Sequence, residues 1–254
     1  MKTIAFLSGL KGGTGKTTLA VNTAVVLAYA LRRKAKYPVV LIDLTPGAGT
    51  AAILLMGTYN LQNAASLSEY FEGRIIDPLQ AFYLRRWQVQ PEEFNVVFTF
   101  LARQAAISRR LLEALMRQIE GRLGPLVVIF DSPPAGRESA IEGLLDFVVP
   151  VTTPDMSSIT TAASISRAVG GKMLRPILNM YIKDHDVTAI YGKNWPDIVR
   201  EAFGEEPHII PADPLFEVAR QALEIESLKL RPEESPGLTA MLSYIRYLMT
   251  QLSI

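Results

Sequence analysis

The string Leu10-Lys11-Gly12-Gly13-Thr14-Gly15-Lys16-Thr17-Thr18 constrains this chain more than any other feature. It follows an apolar run, residues 3–8, that reads as a strand, and it opens a stretch, residues 16–35, that reads as a helix. Glycines let a backbone turn tightly and point successive N–H groups into one hollow. A helix beginning there adds unpaired N–H groups and the positive end of its dipole. Strand, glycine turn, Lys-Thr-Thr and helix in that order make a cradle for phosphate oxygens. In such a cradle Lys16 reaches the β and γ phosphates, the Thr17 hydroxyl binds Mg²⁺ and the Thr18 hydroxyl bonds the α phosphate. Gly12, Gly13, Thr14 and Gly15 supply the backbone of the hollow.

The rest of the 254-residue chain is organised around the same alternation. Apolar runs at 3–8, 39–43, 95–100, 126–131, 147–151, 176–181 and 208–210 read as strands. They are nearly continuous rather than alternating, which marks strands covered on both faces of a parallel sheet. Helix-like stretches lie between them at 67–71, 108–122, 157–169, 195–203 and 215–223, and 238–252 closes the pattern. The expectation is an α/β fold: a mostly parallel twisted sheet with helices on both faces and ligands at the carboxyl ends of its strands. No low-complexity tract divides it, so one domain over residues 1–254 is expected.

Two strands end in a carboxylate. Val39-Val40-Leu41-Ile42-Asp43 and Leu126-Val127-Val128-Ile129-Phe130-Asp131 would both deliver an aspartate to the sheet edge beside the glycine loop. Mg²⁺ keeps several waters and is held by one or two carboxylates, so Asp43 and Asp131, with Thr17, are the candidate metal ligands. An aspartate capping a turn is the plainer alternative.

The loop, Lys11-Gly12-Gly13-x-Gly15-Lys16-Thr17-Thr18, resembles the deviant Walker A loop of the ParA/MinD P-loop ATPases, a branch of the SIMIBI class. Leu10 stands where the general P-loop has glycine, a departure common in that family, and Asn22 matches another common family position. The resemblance implies ATP and Mg²⁺ as cofactors. It also implies an ATP-dependent homodimer in which Lys11 of each copy reaches the other's nucleotide. Lys11, Lys16 and Asp43 are then the candidate catalytic residues. Asp131-Ser132-Pro133-Pro134 is similar to the family's Asp-x-Pro-Pro. Asp43-Leu44-Thr45-Pro46 is similar to its switch segment, but Thr45 replaces the second aspartate, which in the family orients the attacking water. Slow hydrolysis is expected.

Further along, Leu178-Asn179-Met180-Tyr181 resembles the strand that carries an adenine-contacting Asn, and an amide suits that edge because it both donates and accepts. Ile210-Pro211-Ala212-Asp213-Pro214 resembles the loop that closes over the base, making Pro211 and Asp213 candidate contacts, although Asp-Pro also reads as a simple helix start. The stretch 67–118 matches only loosely, and partner specificity is expected there.

Composition removes some relatives. The chain has no cysteine, so thiolate metal sites, iron–sulfur clusters and disulfides are excluded. A net charge of +1 argues against a polybasic nucleic-acid binder. Arg85, Arg86, Arg103, Arg109, Arg110, Arg117 and Arg122 form a modestly basic set, which leaves DNA contact possible. No run reaches the roughly 20 apolar residues of a membrane span. In 238–252 Leu238, Met241, Leu242, Ile245, Leu248 and Leu252 accompany one cation, Arg246, so the expectation is packing on the body rather than membrane contact. A cytoplasmic switch with a protein partner is expected, organising DNA or an assembly in space. The rival is a metabolic ligase similar to dethiobiotin or cobyrinic acid amide synthases, and a third reading is a nearly inactive nucleotide-bound scaffold.

Overall fold

The computed structural model describes residues 1–45, 47, 49–61, 64–132, 138–185 and 187–254, with the backbone alone at 138 and 139. Its strands are β1 (Lys2–Leu7), β2 (Val39–Asp43), β3 (Tyr83–Val89), β4 (Glu92–Phe100), β5 (Val127–Asp131), β6 (Phe147–Thr152), β7 (Lys172–Met173), β8 (Ile177–Tyr181) and β9 (His208–Pro211). They form one sheet in the order β3-β4-β2-β5-β1-β6-β8-β9, with the short β7 beside β6. Every pairing is parallel except that of β3 with β4. The helices are α1 (Lys16–Leu31), α2 (Thr50–Met56), α3 (Leu67–Phe71), α4 (Arg109–Arg122), α5 (Glu138–Ile141), α6 (Met156–Val169), α7 (Thr188–Tyr191), α8 (Trp195–Phe203), α9 (Pro214–Gln221), α10 (Glu226–Lys229) and α11 (Pro236–Leu252).

The continuous apolar runs have a direct explanation in the packing. Along β1, Ile4 and Phe6 face one core while Ala5 and Leu7 face the other. Val39 and Leu41 of β2 divide from Val40 and Ile42 in the same way. The first core is covered by α1 and α11, the second by α3 and α4. Each fully buried Val, Leu, Ile or Phe contributes roughly 1.5–3 kcal/mol, so a strand covered on both sides has little room for polar residues. α11 turns Leu238, Met241, Ile245, Leu248 and Leu252 inward as expected, each at most 1% exposed. No helix among the described residues is long and apolar enough to cross a membrane.

The short elements α2, α5, β7, α7 and α10 were not read from the sequence, and three longer ones depart from that reading. β3 was not expected: it is an edge strand with one neighbour, and its outer residues Arg85, Arg86 and Gln88 are solvated while Tyr83 and Trp87 lean on Phe98 and Phe94. β4 accordingly begins at Glu92, earlier than residue 95, because its first residues pair with this edge. α1 ends at Leu31 rather than at residue 35, where the chain turns to feed β2 and Pro38 disfavours helix at the residue before it.

Candidate functional site

β1 lies at the middle of the sheet, and the glycine loop leaves its carboxyl end to enter α1. Gly13 and Gly15 take positive φ of 76° and 85°, a region side chains rarely enter. Gly15 is the N-cap of α1 and offers no side-chain cap, so the helix's leading N–H groups face the hollow unclaimed by a side chain. Space also demands glycine there, since a Cβ would fall 2.2 Å from Nδ2 of Asn179. That nitrogen donates to the carbonyl of Thr14 at 2.8 Å, tying β8 to the loop. Lys16 is 7% exposed and its Nζ donates to Ser8 Oγ at 2.7 Å. Burial pushes its ammonium below the usual lysine range, partly offset by the charge of Asp131.

Gly13, Thr14, Gly15, Lys16, Thr17, Thr18, Asn179, Pro211 and Asp213 line one cavity of about 960 Å³. The structure therefore brings together the loop, the β8 amide and the β9–α9 turn, which lie far apart in sequence. Gly12 is exposed and is not among the residues that line the cavity. Asp213 spends its carboxylate on structure. Oδ1 accepts from Leu215 N at 2.9 Å, while Oδ2 accepts from Ser235 Oγ at 2.6 Å and Gly237 N at 3.0 Å. The helix-start reading thus holds at Asp213, and the same side chain also pins the turn to the start of α11.

Asp43 and Asp131 end β2 and β5 side by side, paired in register. Both are buried, at 1% and 0% exposure. Asp43 Oδ1 accepts from Thr45 N at 2.9 Å, but its Oδ2 and both oxygens of Asp131 have no hydrogen-bond partner among the described residues. Burial, reinforced by Asp131, pushes Asp43 up to about 8. Burial likewise raises Asp131 to about 6, with the nearby Thr17 hydroxyl and Lys16 ammonium opposing it. Unpaired buried carboxylates are costly unless a cation joins them, so this donor set, with Thr17, fits a small hard divalent ion. Gly49 was not singled out in the sequence, yet a Cβ there would lie 1.9 Å from Asp43 Oδ2.

Lys11 lies elsewhere. Its Nζ pairs with Asp155 Oδ2 at 3.2 Å at the rim, and its side chain is 49% exposed. Asp155 is the N-cap of α6, accepting from Ser158 N at 2.9 Å. Hydrogen bonds from Ser157 and Ser158, with help from Lys11, hold it down to about 2. The loop's outer arm is fixed by the same helix: Leu10 N donates to Thr161 Oγ1 at 3.3 Å, and a Cβ at Gly9 would collide with that oxygen. Sequence reading gave Asp155 and Thr161 no part in holding the glycine loop, because nothing local shows that α6 meets it. Pro46, Pro133 and Pro134 of the two switch-like segments lie outside the described residues.

The basic set is dispersed. Arg85 and Arg86 sit on β3, and Arg109, Arg110, Arg117 and Arg122 on α4. Arg103 pairs with Glu69 and Glu72, Arg122 with Asp77 and Arg109 with Glu113.

The sequence profile of the CobQ/CobB/MinD/ParA nucleotide binding domain matches residues 5–191, and the chain belongs to that family. It is 31% identical over 164 residues to the virulence plasmid ParA family protein pGP5-D of Chlamydia psittaci, a match spanning 63% of this chain and 60% of that protein. Its fold is that of MinD in the MinC:MinD cell division complex of Aquifex aeolicus, with a TM-score of 0.74 at 21% identity over 98% of this chain and 96% of that one. It is also that of the septum site-determining protein MinD of Pyrococcus horikoshii, solved with Mg-ADP, with a TM-score of 0.70 at 20% identity over 97% and 95% of the two chains.

Proposed function

We propose that this chain is an ATP- and Mg²⁺-dependent dimerising switch of the ParA/MinD type, a slow ATPase that organises DNA or a protein assembly in space. The observation that carries this reading is the division of labour between two lysines of one loop. Lys16 is buried and lines the cavity, whereas Lys11 does not line it and pairs with Asp155. An exposed ion pair of this kind is worth about 0–1 kcal/mol, so Lys11 leaves it at small cost for a nucleotide held by a second copy.

In this reading Lys16 and the loop N–H groups bind the β and γ phosphates. Thr17, Asp43 and Asp131 hold Mg²⁺, and the ion's contribution is to neutralise charge on those phosphates. Asn179 keeps its Nδ2 on Thr14, which leaves Oδ1 to accept from the amino group of adenine. Pro211 borders the base, and Asp213 fixes the turn that carries it. Thr45 lies at the switch with its N–H on Asp43 and without a carboxylate to orient water, hence slow turnover.

Phosphate release at saturating Mg-ATP tests the reading. Turnover per chain should rise with protein concentration, because each site is completed by the other copy. A rate per chain independent of concentration over the range where the protein is monomeric without nucleotide would remove the dimer from the account.

A further inference from the structure

We propose that Glu226 and Asn22 are positioning residues for nucleotide binding: together they latch the segment that closes the base side of the cavity onto the phosphate-loop helix. The inference rests on the reading of the cavity as a nucleotide site.

The segment 211–230 has two sides. Pro211, Phe216, Glu217 and Arg220 line the cavity. Behind them the chain turns at Leu223, which takes a positive φ of 56°, and enters α10. The first residue of α10, Glu226, is a carboxylate only 1% exposed. Its Oε2 accepts from Asn22 Nδ2 at 2.6 Å, and the next residue, Ser227, donates its N–H to Asn22 Oδ1 at 2.8 Å. Both ends of the Asn22 amide are thus matched by α10. The same Nδ2 also donates to the carbonyl of Thr18 at 2.8 Å. Asn22 is fully buried in α1, one turn beyond Thr18, which itself lines the cavity.

A buried acid is a costly way to fill space, and an apolar side chain would pack more cheaply. What the pair adds is a fixed register. An acceptor, Glu226 Oε2, and a donor, Ser227 N–H, meet the two ends of one amide in one geometry only, so α10, and with it α9, can seat on α1 in one position. Oε1 of Glu226 has no hydrogen-bond partner among the described residues, and burial pushes the carboxyl up, with the Asn22 hydrogen bond opposing it. The Glu226 side of the latch therefore acts on the wall facing the base, while Gly13–Lys16 and Ser8 of the phosphate hollow are held by other contacts.

The test compares two ligands on three proteins by calorimetry: Mg-ATP, and Mg-tripolyphosphate, which has phosphates but no base. Glu226→Leu keeps the buried volume apolar and the fold intact while removing the acceptor, and Glu226→Gln keeps an acceptor oxygen. Glu226→Leu should weaken Mg-ATP about tenfold or more and change tripolyphosphate by less than about twofold, with Glu226→Gln close to wild type. Equal losses for both ligands, no loss for Glu226→Leu, or a Gln variant as weak as the Leu variant would overturn the proposal. A wild type that binds neither ligand would instead remove the nucleotide reading on which it rests.

Discussion

Asp43 and Asp131 stand opposite one another at the ends of two adjacent parallel strands, both buried and with three of their four oxygens unpartnered among the described residues. Lys16 is the nearby cation, and burial has already lowered its own affinity for a proton. Without metal this is a stored electrostatic cost. A carboxyl whose folded pKa exceeds its unfolded one contributes stability that is fully present below the unfolded value, about 3.9, and lost as pH rises through the folded one. Asp43 is raised to about 8 and Asp131 to about 6, so the window runs from mildly acid to mildly alkaline. Metal-free protein should melt at lower temperature at about pH 8.5 than at about pH 5. Asp43→Asn should flatten that dependence and gain on the order of 1–3 kcal/mol at alkaline pH while losing the added stability from Mg²⁺ and nucleotide. Thermal melts across pH, with and without Mg-ATP, measure both; a variant less stable than wild type throughout would contradict the account.

Lys16→Ala should abolish nucleotide binding. Its ammonium is buried beside Ser8 at the glycine loop, and the other cation lining the cavity among the described residues, Arg220, sits on α9 and pairs with Glu217. A counter-charge removed from such a site costs several kcal/mol against a polyphosphate, or about a thousandfold or more in affinity. Calorimetry with Mg-ATP on the folded variant reads this directly, and near-unchanged affinity would remove the phosphate-loop assignment.

Thr45→Asp should speed hydrolysis. Thr45 N donates to Asp43, which fixes the backbone next to the proposed reaction centre, but a hydroxyl brings no charge to polarise water. Orientation of an attacking water can be worth several kcal/mol, and each ~1.4 kcal/mol is tenfold in rate. Single-turnover phosphate release should rise about tenfold or more in the variant. A wild type that is already fast, with a variant no faster, would sink the idea.

Much of this site was legible because it is written in short stretches of backbone. The glycine loop needs positive φ at Gly13 and Gly15, and only a strand before and a helix after give it meaning. The two aspartates declared themselves by ending runs that a buried strand requires to be apolar. What could not be read was fixed by contacts between distant stretches. Asp155 looks like any residue before a helix until β6 brings it to Lys11, and Glu226 looks like a solvated acid until α10 folds onto α1. β3 was hidden because an edge strand with one neighbour carries arginines where a central strand carries valines.

Asp213→Ala should cost both stability and nucleotide affinity, since one side chain serves two helix starts. Losing the cap at Leu215 and the bond to Gly237 should lower stability by roughly 1–3 kcal/mol. Asp213→Asn should recover part of it, because the amide oxygen still accepts from one helix start while the amide nitrogen cannot accept at the other. Chemical unfolding compares the three proteins; an Ala variant equal to wild type would mean that the two caps are redundant.

The central claim is that ATP joins two copies through Lys11. Light scattering on the protein without nucleotide, with Mg-ADP and with Mg-ATP, for wild type and for Lys11→Ala, tests it most directly. Wild type should double in mass in Mg-ATP alone. Lys11→Ala should stay a monomer under the same conditions, with Mg-ATP affinity within about threefold of wild type because Lys11 lies outside its own chain's cavity. A wild type that stays monomeric in Mg-ATP, or a Lys11→Ala variant that dimerises as well as wild type, would contradict it.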